Sequence, residues 1–212
     1  MISFSGVDCS GKSTQINLLC EELKRRNIKH QVIWSRGGYT PGIEAVKKLL
    51  RGNKEVSKEE RIRYSEQTNS NSKKRKLLFT AALIDLWFYY SIVLRFKEAM
   101  GTLLICDRYI WDTYIDFKMK YPEYNFEKGF WWNFTLKTML KPKPSFCFFI
   151  SAEESMRRSG LKDEPFPEPI EVRQERINHY LNELKNNRWQ YKIDAMVTPE
   201  EVYEQMMEII NL

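Results

Sequence analysis

The sequence predicts an α/β fold in which a five-stranded parallel sheet lies between two layers of helices. Short apolar runs alternate with segments of helical periodicity, a pattern typical of parallel strands joined by crossover helices. Three of these runs are rich in Val, Ile, Leu and Phe, as in strands buried on both faces. The chain has 212 residues, of which 42% are hydrophobic and 29% are charged. These values predict one domain over residues 1–212 that needs no disulfide or metal for its stability.

The strands and helices can be assigned in chain order from the spacing of apolar residues. Apolar residues that are spaced three, four and seven positions apart predict helices after Lys12, over Ile177–Leu184 and at the end of the chain. Thr198 and Pro199 are typical of the start of that last helix. The segment Leu78–Phe96 is long and apolar on more than one face, so it is predicted to be a central buried helix. The predicted strands are Ile2–Ser5, Gln31–Ser35, Leu103–Cys106, Ser145–Ile150 and Tyr191–Ile193.

Composition excludes several classes of protein. The chain is too apolar for a disordered or collagen-like protein. The longest apolar run, Phe79–Leu94, is interrupted by Asp85, and MISFSG is unlike a signal peptide, so we expect a cytoplasmic protein without a membrane-spanning helix. The net charge of +6 favours a partner that carries phosphate. No CxxC spacing is present, so we expect neither a disulfide nor a zinc site from the cysteines, which are Cys9, Cys20, Cys106 and Cys147.

A phosphate-binding motif follows the first predicted strand. Residues 6–14 read GVDCSGKST, which matches the G-x4-G-K-S pattern of the P-loop. Its glycines allow a tight turn, and successive backbone N–H groups with the start of the next helix form an anion site. Lys12 is expected to contact the β- and γ-phosphates of ATP, and Ser13 to bind Mg²⁺. The other predicted nucleotide contacts are Gly6, Cys9, Ser10, Gly11 and Thr14.

The ends of two further strands carry candidate site residues. Asp107 ends an apolar strand, as does the carboxylate that holds Mg²⁺ in P-loop enzymes. The next residue is Arg108 rather than a second carboxylate, which favours phosphoryl transfer over hydrolysis. Arg36 follows the second strand and is a candidate clamp for a second anion. The carboxyl ends of parallel strands meet at one sheet edge, so we expect these residues to lie together.

The order of these motifs resembles the thymidylate kinase family over residues 1 to about 207. The segments that carry the resemblance are GVDCSGKST, SRGGYTPG, KLLFTAA, DRY, an arginine-rich segment and KIDA. The resemblance implies a P-loop kinase fold with a lid at about 157–173, ATP and Mg²⁺ as cofactors, and a homodimer. It implies transfer of the γ-phosphoryl group of ATP to a nucleoside 5′-monophosphate, either dTMP or a related phosphorylated acceptor.

The resemblance also implies roles for individual residues. Asp8 would meet the acceptor sugar, Arg36 and Arg108 would hold the acceptor phosphate, and Phe79 would stack on the acceptor base. The lid would supply a catalytic cation from among Arg157, Arg158 and Arg173, since Cys9 stands where some members have a P-loop arginine.

Three positions of the expected acceptor pocket differ from the family pattern. Leu83 stands where the family normally has an arginine, and Asp112 and Asp116 stand where it often has a serine and an aromatic residue. The two carboxylates could accept hydrogen bonds from a cytosine amine or from sugar hydroxyls. They could equally lie on a solvated helix face.

Two other functions remain open at the level of sequence. A kinase that phosphorylates a hydroxyl needs a carboxylate base, which Asp8 or Asp112 could supply, although Ser35 and Arg36 occupy the expected position. A nucleotide-dependent switch fits less well, because Asn53-Lys54-Glu55-Val56 lacks the aspartate of a guanine-binding motif. A nucleic-acid-binding ATPase also fits less well, because the basic run at residues 73–76 suits a solvated loop. We therefore expect no nucleic-acid partner. The aromatic cluster around Trp131 and Trp132 fits core or dimer packing, or an enlarged acceptor pocket.

Overall fold

The protein is built around a five-stranded parallel sheet with strand order β2-β3-β1-β4-β5. A computed structural model describes residues 1–34, 72–161 and 168–211. The sheet confirms the predicted α/β fold class, and the described strand ends differ from the prediction by one residue at most. The strands are β1 (Ile2–Gly6), β2 (His30–Trp34), β3 (Leu103–Asp107), β4 (Ser145–Phe149) and β5 (Tyr191–Asp194).

The described residues also form eight α-helices. Those predicted after Lys12, around Ile177 and after Thr198 are all present, and Thr198 caps the last one by accepting a hydrogen bond from the Glu201 backbone N–H. The helices are α1 (Lys12–Arg25), α2 (Ser72–Phe88), α3 (Leu94–Ala99), α4 (Ile110–Lys120), α5 (Phe130–Thr138), α6 (Ala152–Leu161), α7 (Ile170–Lys185) and α8 (Pro199–Ile210).

Three phenylalanines lie in the core at the centre of the sheet. Phe4 of β1 lies beside Phe146 and Phe148 of β4, with ring centroids 5.7 and 5.9 Å away, and all three are almost fully buried. Leu19 and Leu23 of α1 are also fully buried in this cluster. Each such side chain removes a large apolar area from water, which keeps the two central strands and α1 in place.

The central helical segment differs from its prediction. A π-helical turn at Tyr89–Val93 joins α2 to α3. One side of this segment is buried, whereas Ile84, Phe88 and Ile92 on the other side are exposed to water. The prediction of a central buried helix is therefore correct for one side of the segment and wrong for the other. Composition indicates that a helix is apolar, but it does not say which neighbours cover it.

The same segment also meets a criterion for membrane-spanning helices. The helical stretch Arg75–Ala99 is long and apolar enough to cross a membrane by length and composition alone. Asp85 therefore does not exclude a segment of that length and composition, and the prediction from the sequence was wrong on this point. A core helix of a water-soluble protein meets the same criterion, so the stretch is weak evidence for a membrane span.

The described residues divide into two compact units, and the prediction of a single domain over 1–212 stays a prediction. The first unit contains residues 1–34, 97–124, 141–161 and 168–211, and therefore the whole sheet. The second contains residues 72–96 and 125–140. Its core includes Trp132, which lies edge-on against Phe126 at 5.0 Å.

Strand pairing brings three strand ends to one edge of the sheet. Phe4 of β1 and Trp34 of β2 are both in register with Asp107 at the end of β3. Ligands bind at this edge in open parallel sheets. The edge therefore contains the loop after β1 and the residues that follow β3.

Candidate active site

The loop between β1 and α1 has the backbone that its glycines predict. Gly6 has a φ of 136°, and a Cβ atom there would lie 2.4 Å from the carbonyl oxygen of Phe148. Gly11 has a φ of 87° and ends the loop as the N-cap of α1. Only glycine adopts both conformations without strain, so the motif and the local fold depend on each other.

The side chain of Lys12, the first residue of α1, is enclosed by this loop. Its side chain is almost fully buried, and Nζ donates to the carbonyl oxygens of Gly6 (2.9 Å) and Val7 (2.6 Å) and to Ser10 Oγ (3.2 Å). Burial, followed by the neighbouring charge of Arg108, lowers the pKa of Lys12 to about 8. The loop thus holds an ammonium group whose cost of burial an anionic ligand would relieve.

Asp107 has the environment of a cation ligand. Its Oδ1 atom is buried and has no hydrogen-bond partner among the described residues. Burial raises the pKa of Asp107, and the charges of Lys12 and Arg108 oppose that effect. Ser13 lines the same cavity and is exposed. A carboxylate and a hydroxyl are hard oxygen donors of the kind that Mg²⁺ binds, so these two side chains fit that ion. Among the residues that the structure describes, no group of three or more His, Cys, Asp or Glu side chains forms a metal site by itself.

Arg108 is held at the back of the loop rather than directed into solvent. Its side chain is buried, one terminal nitrogen donates to the Gly6 carbonyl oxygen at 3.1 Å, and the other is ion-paired with Asp8. Burial opposes its charge, but Tyr180, Asp8 and Asp112 outweigh that effect and raise the pKa of Arg108 above its ordinary value. Its φ of 72° is unusual for a residue other than glycine. Such strain is often found at functional sites.

The two carboxylates that the sequence assigned to the acceptor pocket have protein partners. Asp112 is 1% exposed and accepts hydrogen bonds from Ser5 Oγ and Tyr180 OH, both at 2.5 Å. Asp116 pairs with the buried Arg176 at 2.5 Å. Neither carboxylate lies on a solvated helix face, the alternative left open by the sequence. Their role in acceptor binding remains a prediction.

The predicted lid arginines have different surroundings. Arg157 is exposed and pairs with Glu154 at 2.7 Å. Arg158 also pairs with Glu154, and it donates to the Ala195 carbonyl oxygen at 2.9 Å. Arg173 is buried, so Arg157 and Arg158 are the two of these three described arginines that are exposed enough to meet a ligand directly. Residues 162–167, at the centre of the predicted lid, lie outside the described residues.

Two cavities meet at the loop, and both contain Cys9, Ser10, Gly11 and Thr14. The first has a volume of about 230 Å³ and is strongly polar, with the charged side chains of Asp8, Lys12, Asp107 and Arg108 in its wall. The second has a volume of about 290 Å³ and is largely apolar, with Phe148, Val197 and Val202 in its wall beside Arg158. A polar cavity next to an apolar one suits a ligand that joins phosphates to a ring system.

Three site residues were not predicted from the sequence. Trp34 lines the polar cavity, and its position at the end of β2 is the signal that could have indicated it. Gln15 lines the apolar cavity, where Nε2 donates to the Pro199 carbonyl oxygen at 2.8 Å and Oε1 is buried without a partner among the described residues. Tyr180 reaches Asp112 from α7, and no local pattern indicates that contact.

Three predicted acceptor residues cannot be placed at this site. Arg36 lies outside the described residues. Phe79 and Leu83 belong to the second unit, where both are buried and Phe79 lies edge-on to Phe126 at 5.7 Å. Their proposed contacts with the acceptor stay predictions.

Comparison with known proteins gives a consistent match. The family model described as thymidylate kinase matches residues 4–206. The chain is 36% identical over 110 residues to the thymidylate kinase of Ruegeria pomeroyi, an alignment that covers 51% of this chain and 44% of that protein. It is 32% identical over 114 residues to the thymidylate kinase of Symbiobacterium thermophilum, and this alignment also covers 51% of this chain and 44% of that protein. It is 51% identical over 49 residues to the thymidylate kinase of Afipia carboxidovorans, an alignment that covers 23% of this chain and 21% of that protein. The aligned segments thus span less than half of each relative. The family model matches nearly the whole chain. In addition, Asp107 and Arg108 lie beside the P-loop at one edge of the sheet. The chain therefore belongs to the thymidylate kinase family.

Proposed function

We propose that the protein transfers the γ-phosphoryl group of ATP to a nucleoside 5′-monophosphate, with dTMP as the first candidate acceptor. The observation that carries the proposal is the polar cavity, in which Lys12, Asp107 and Arg108 converge on the P-loop. The family and the names of the relatives support dTMP in particular. ADP and dTDP would be the products.

The two cavities suggest how ATP would be held. The backbone N–H groups around Ser10 and Gly11 and the Lys12 ammonium would bind its phosphates in the polar cavity. The adenine would enter the apolar cavity beside Arg158. Gln15 lies in that wall, and its Oε1 atom, which has no hydrogen-bond partner in the described part of the chain, would suit the exocyclic amine of adenine.

Ser13 and Asp107 would hold Mg²⁺, which would neutralise negative charge on the β- and γ-phosphate oxygens. This assignment is supported by the buried Oδ1 atom of Asp107, which none of the described residues contacts through a hydrogen bond. No general base is needed, because an acceptor phosphate oxygen is already ionised. The work of the protein is instead to bring two polyanions together, and buried cations achieve that best in a site from which water is excluded.

The acceptor phosphate would bind beside Arg108, together with Arg36. Asp8 would release its ion pair with Arg108 as the phosphate arrives and would face the acceptor sugar. Arg157 and Arg158 are the candidate lid cations for the charge that develops during transfer. A hydroxyl kinase is disfavoured because Asp112 is buried and fully engaged, which leaves Asp8 as the remaining candidate base.

The test is ADP release from ATP and Mg²⁺ with a panel of nucleoside monophosphates and unphosphorylated nucleosides. We expect stimulation by dTMP or another monophosphate and none by nucleosides. Lys12→Ala should lower the rate by roughly 10³-fold or more, whereas Lys24→Ala, at an exposed position on the same helix, should not change it. Stimulation by nucleosides alone, or an active Lys12→Ala variant, would contradict the proposal.

We also propose that the chain forms a homodimer through the exposed apolar side of the α2–α3 segment. Large apolar side chains recur there every four residues and are 37–67% exposed: Ile84, Phe88, Ile92 and Phe96. Contiguous apolar surface of this kind is typical of protein interfaces. A second copy is the occupant that the family resemblance implies.

Light scattering after gel filtration tests this assembly. Phe88→Lys should shift the mass from about 51 to about 25 kDa, since a buried lysine without a partner would oppose pairing. Lys137→Glu, at an exposed position of α5, should keep the wild-type mass. A monomeric wild-type protein would contradict the proposal.

We also propose that the enzyme acts in the cytoplasm, where ATP and nucleoside monophosphates are available.

A further inference from the structure

We propose that Asp112 is a positioning residue that locks the phosphate-binding loop and Arg108 into one fixed arrangement. This inference rests on the proposed phosphoryl transfer and adds to it a residue that touches neither substrate. It replaces the role that the sequence suggested for Asp112, which was contact with the acceptor base or sugar.

Burial separates Asp112 from any ligand. The residue is 1% exposed, and its carboxylate lies among polar groups of the protein. Oδ2 accepts from Ser5 Oγ at 2.5 Å and from the Tyr109 backbone N–H at 3.0 Å. Oδ1 accepts from Tyr180 OH at 2.5 Å and from the Gly6 backbone N–H at 3.3 Å. A carboxylate with four such donors is saturated and has no remaining capacity for a base or a sugar.

The donors come from both halves of the proposed reaction centre. Gly6 begins the loop that would hold ATP, and its other side packs against the carbonyl oxygen of Phe148. Tyr109 follows directly after Arg108, the candidate clamp for the acceptor phosphate. One side chain therefore joins the donor-binding loop to the acceptor-binding arginine, although the two are about a hundred residues apart in sequence.

The backbone at Arg108 needs this support. Its φ of 72° lies in the left-handed region, which costs free energy for a residue with a Cβ atom. The Arg108 N–H donates to the Phe4 carbonyl oxygen at 2.8 Å, and the following N–H donates to Asp112. Hydrogen bonds on both sides of the strained residue hold it in that conformation, and Asp112 supplies one of them.

The charge of Asp112 also keeps Arg108 in place. The guanidinium of Arg108 lies 3.5 Å from Asp112 Oδ1 and 3.1 Å from the Gly6 carbonyl oxygen. Asp8, the other carboxylate paired with Arg108, is more exposed and lies on the ligand side of the loop. When a phosphate displaces Asp8, Asp112 remains as the inner counter-ion that prevents Arg108 from moving.

The experiment compares Asp112→Asn with wild type in two measurements. In steady-state kinetics we expect kcat to fall by about tenfold or more, with both KM values nearly unchanged, because misaligned phosphates bind but react slowly. In hydrogen exchange of the unliganded protein we expect lost protection at the amides of Gly6 and Tyr109. Glu183→Gln is the matched control, because Glu183 is also a buried carboxylate with an arginine partner and lies outside the site. It should lower Tm without changing kcat.

Each outcome decides the inference. An unchanged kcat with unchanged amide protection would overturn it. A rise in the acceptor KM alone would make Asp112 a substrate-binding residue, which also overturns it. Inactive wild-type protein would refute the phosphoryl transfer, while the exchange data would still decide the positioning role. If Asp112→Asn does not fold, Ser5→Ala and Tyr180→Phe each remove one donor and should lower kcat in the same manner, and wild-type kcat in both would overturn the inference.

Discussion

The unusual ionisation of Lys12 leads to a prediction about nucleotide affinity. The ammonium group is buried beside Arg108, and these two effects outweigh the attraction of Asp8, Asp107 and Asp112, so the pKa of Lys12 falls to about 8 in the unliganded protein. Only the protonated form attracts the phosphates of ATP. A bound polyanion favours that form and raises the pKa again. Affinity for ATP should therefore be greatest below pH 8 and should fall as the pH rises through 8.

The expected size of the effect follows from the pKa. About 90% of Lys12 is protonated at pH 7 and about 10% at pH 9, so the affinity should fall about tenfold, or by about 1.4 kcal/mol. The phosphate groups have already lost their last protons near pH 7, so they contribute little over this range.

Calorimetry with a non-hydrolysable ATP analogue at pH 7, 8 and 9 provides the assay. Buffers of different ionisation enthalpy should reveal uptake of nearly one proton on binding at pH 9 and almost none at pH 7. Lys12→Ala should bind weakly with no such dependence. A wild-type Kd that stays constant from pH 7 to 9, or the same fall in Lys12→Ala, would refute the reasoning.

Three further predictions concern stability and the metal ion. Gly6→Ala should lower Tm by about 6–12 °C, because the added Cβ would overlap the Phe148 carbonyl oxygen and cost about 3 kcal/mol; an unchanged melting curve would show that the loop relaxes at no cost. Trp132→Ala should reduce the free energy of unfolding in urea by about 3–5 kcal/mol, because the side chain is 2% exposed and packs against Phe126; a loss below 1 kcal/mol would contradict its place in the core. Asp107→Asn should raise the Mg²⁺ concentration needed for half-maximal activity by about tenfold or more, since the variant lacks the buried carboxylate charge; an unchanged Mg²⁺ titration would exclude Asp107 as a ligand.

The sheet was predictable from the sequence because its signal is local. Strands such as Leu103–Asp107 are short apolar runs, as expected for strands that are buried on both faces of a sheet. The central helix was predictable as a helix but not in its burial. The exposure of Phe88 and Ile92 depends on which elements pack against α2, and a sequence period does not contain that information.

The site was predictable to the extent that its residues share a motif. The sequence predicted that Lys12, Arg36, Asp107 and Arg108 lie at one sheet edge. Three of them line one cavity, whereas Arg36 lies outside the described residues, and the role of each residue stays a prediction. The setting of Asp112 was not predictable. Its hydrogen-bond partners Ser5 and Tyr180 lie 107 and 68 residues away, and its helix presents it to β1 rather than to solvent.

By itself, the sequence determined that a P-loop joins an apolar strand to an amphipathic helix, and that an aspartate and an arginine follow another buried strand. These features arise from glycine conformations, apolar periods and short-range spacing, all of which are properties of neighbouring residues. Only the tertiary structure decided which charged groups line the polar cavity and which are enclosed by the protein. Within the described ranges, Asp107 has a buried oxygen that accepts no hydrogen bond, whereas Asp112 is saturated, because the donors that distinguish the two carboxylates come from β1 and α7.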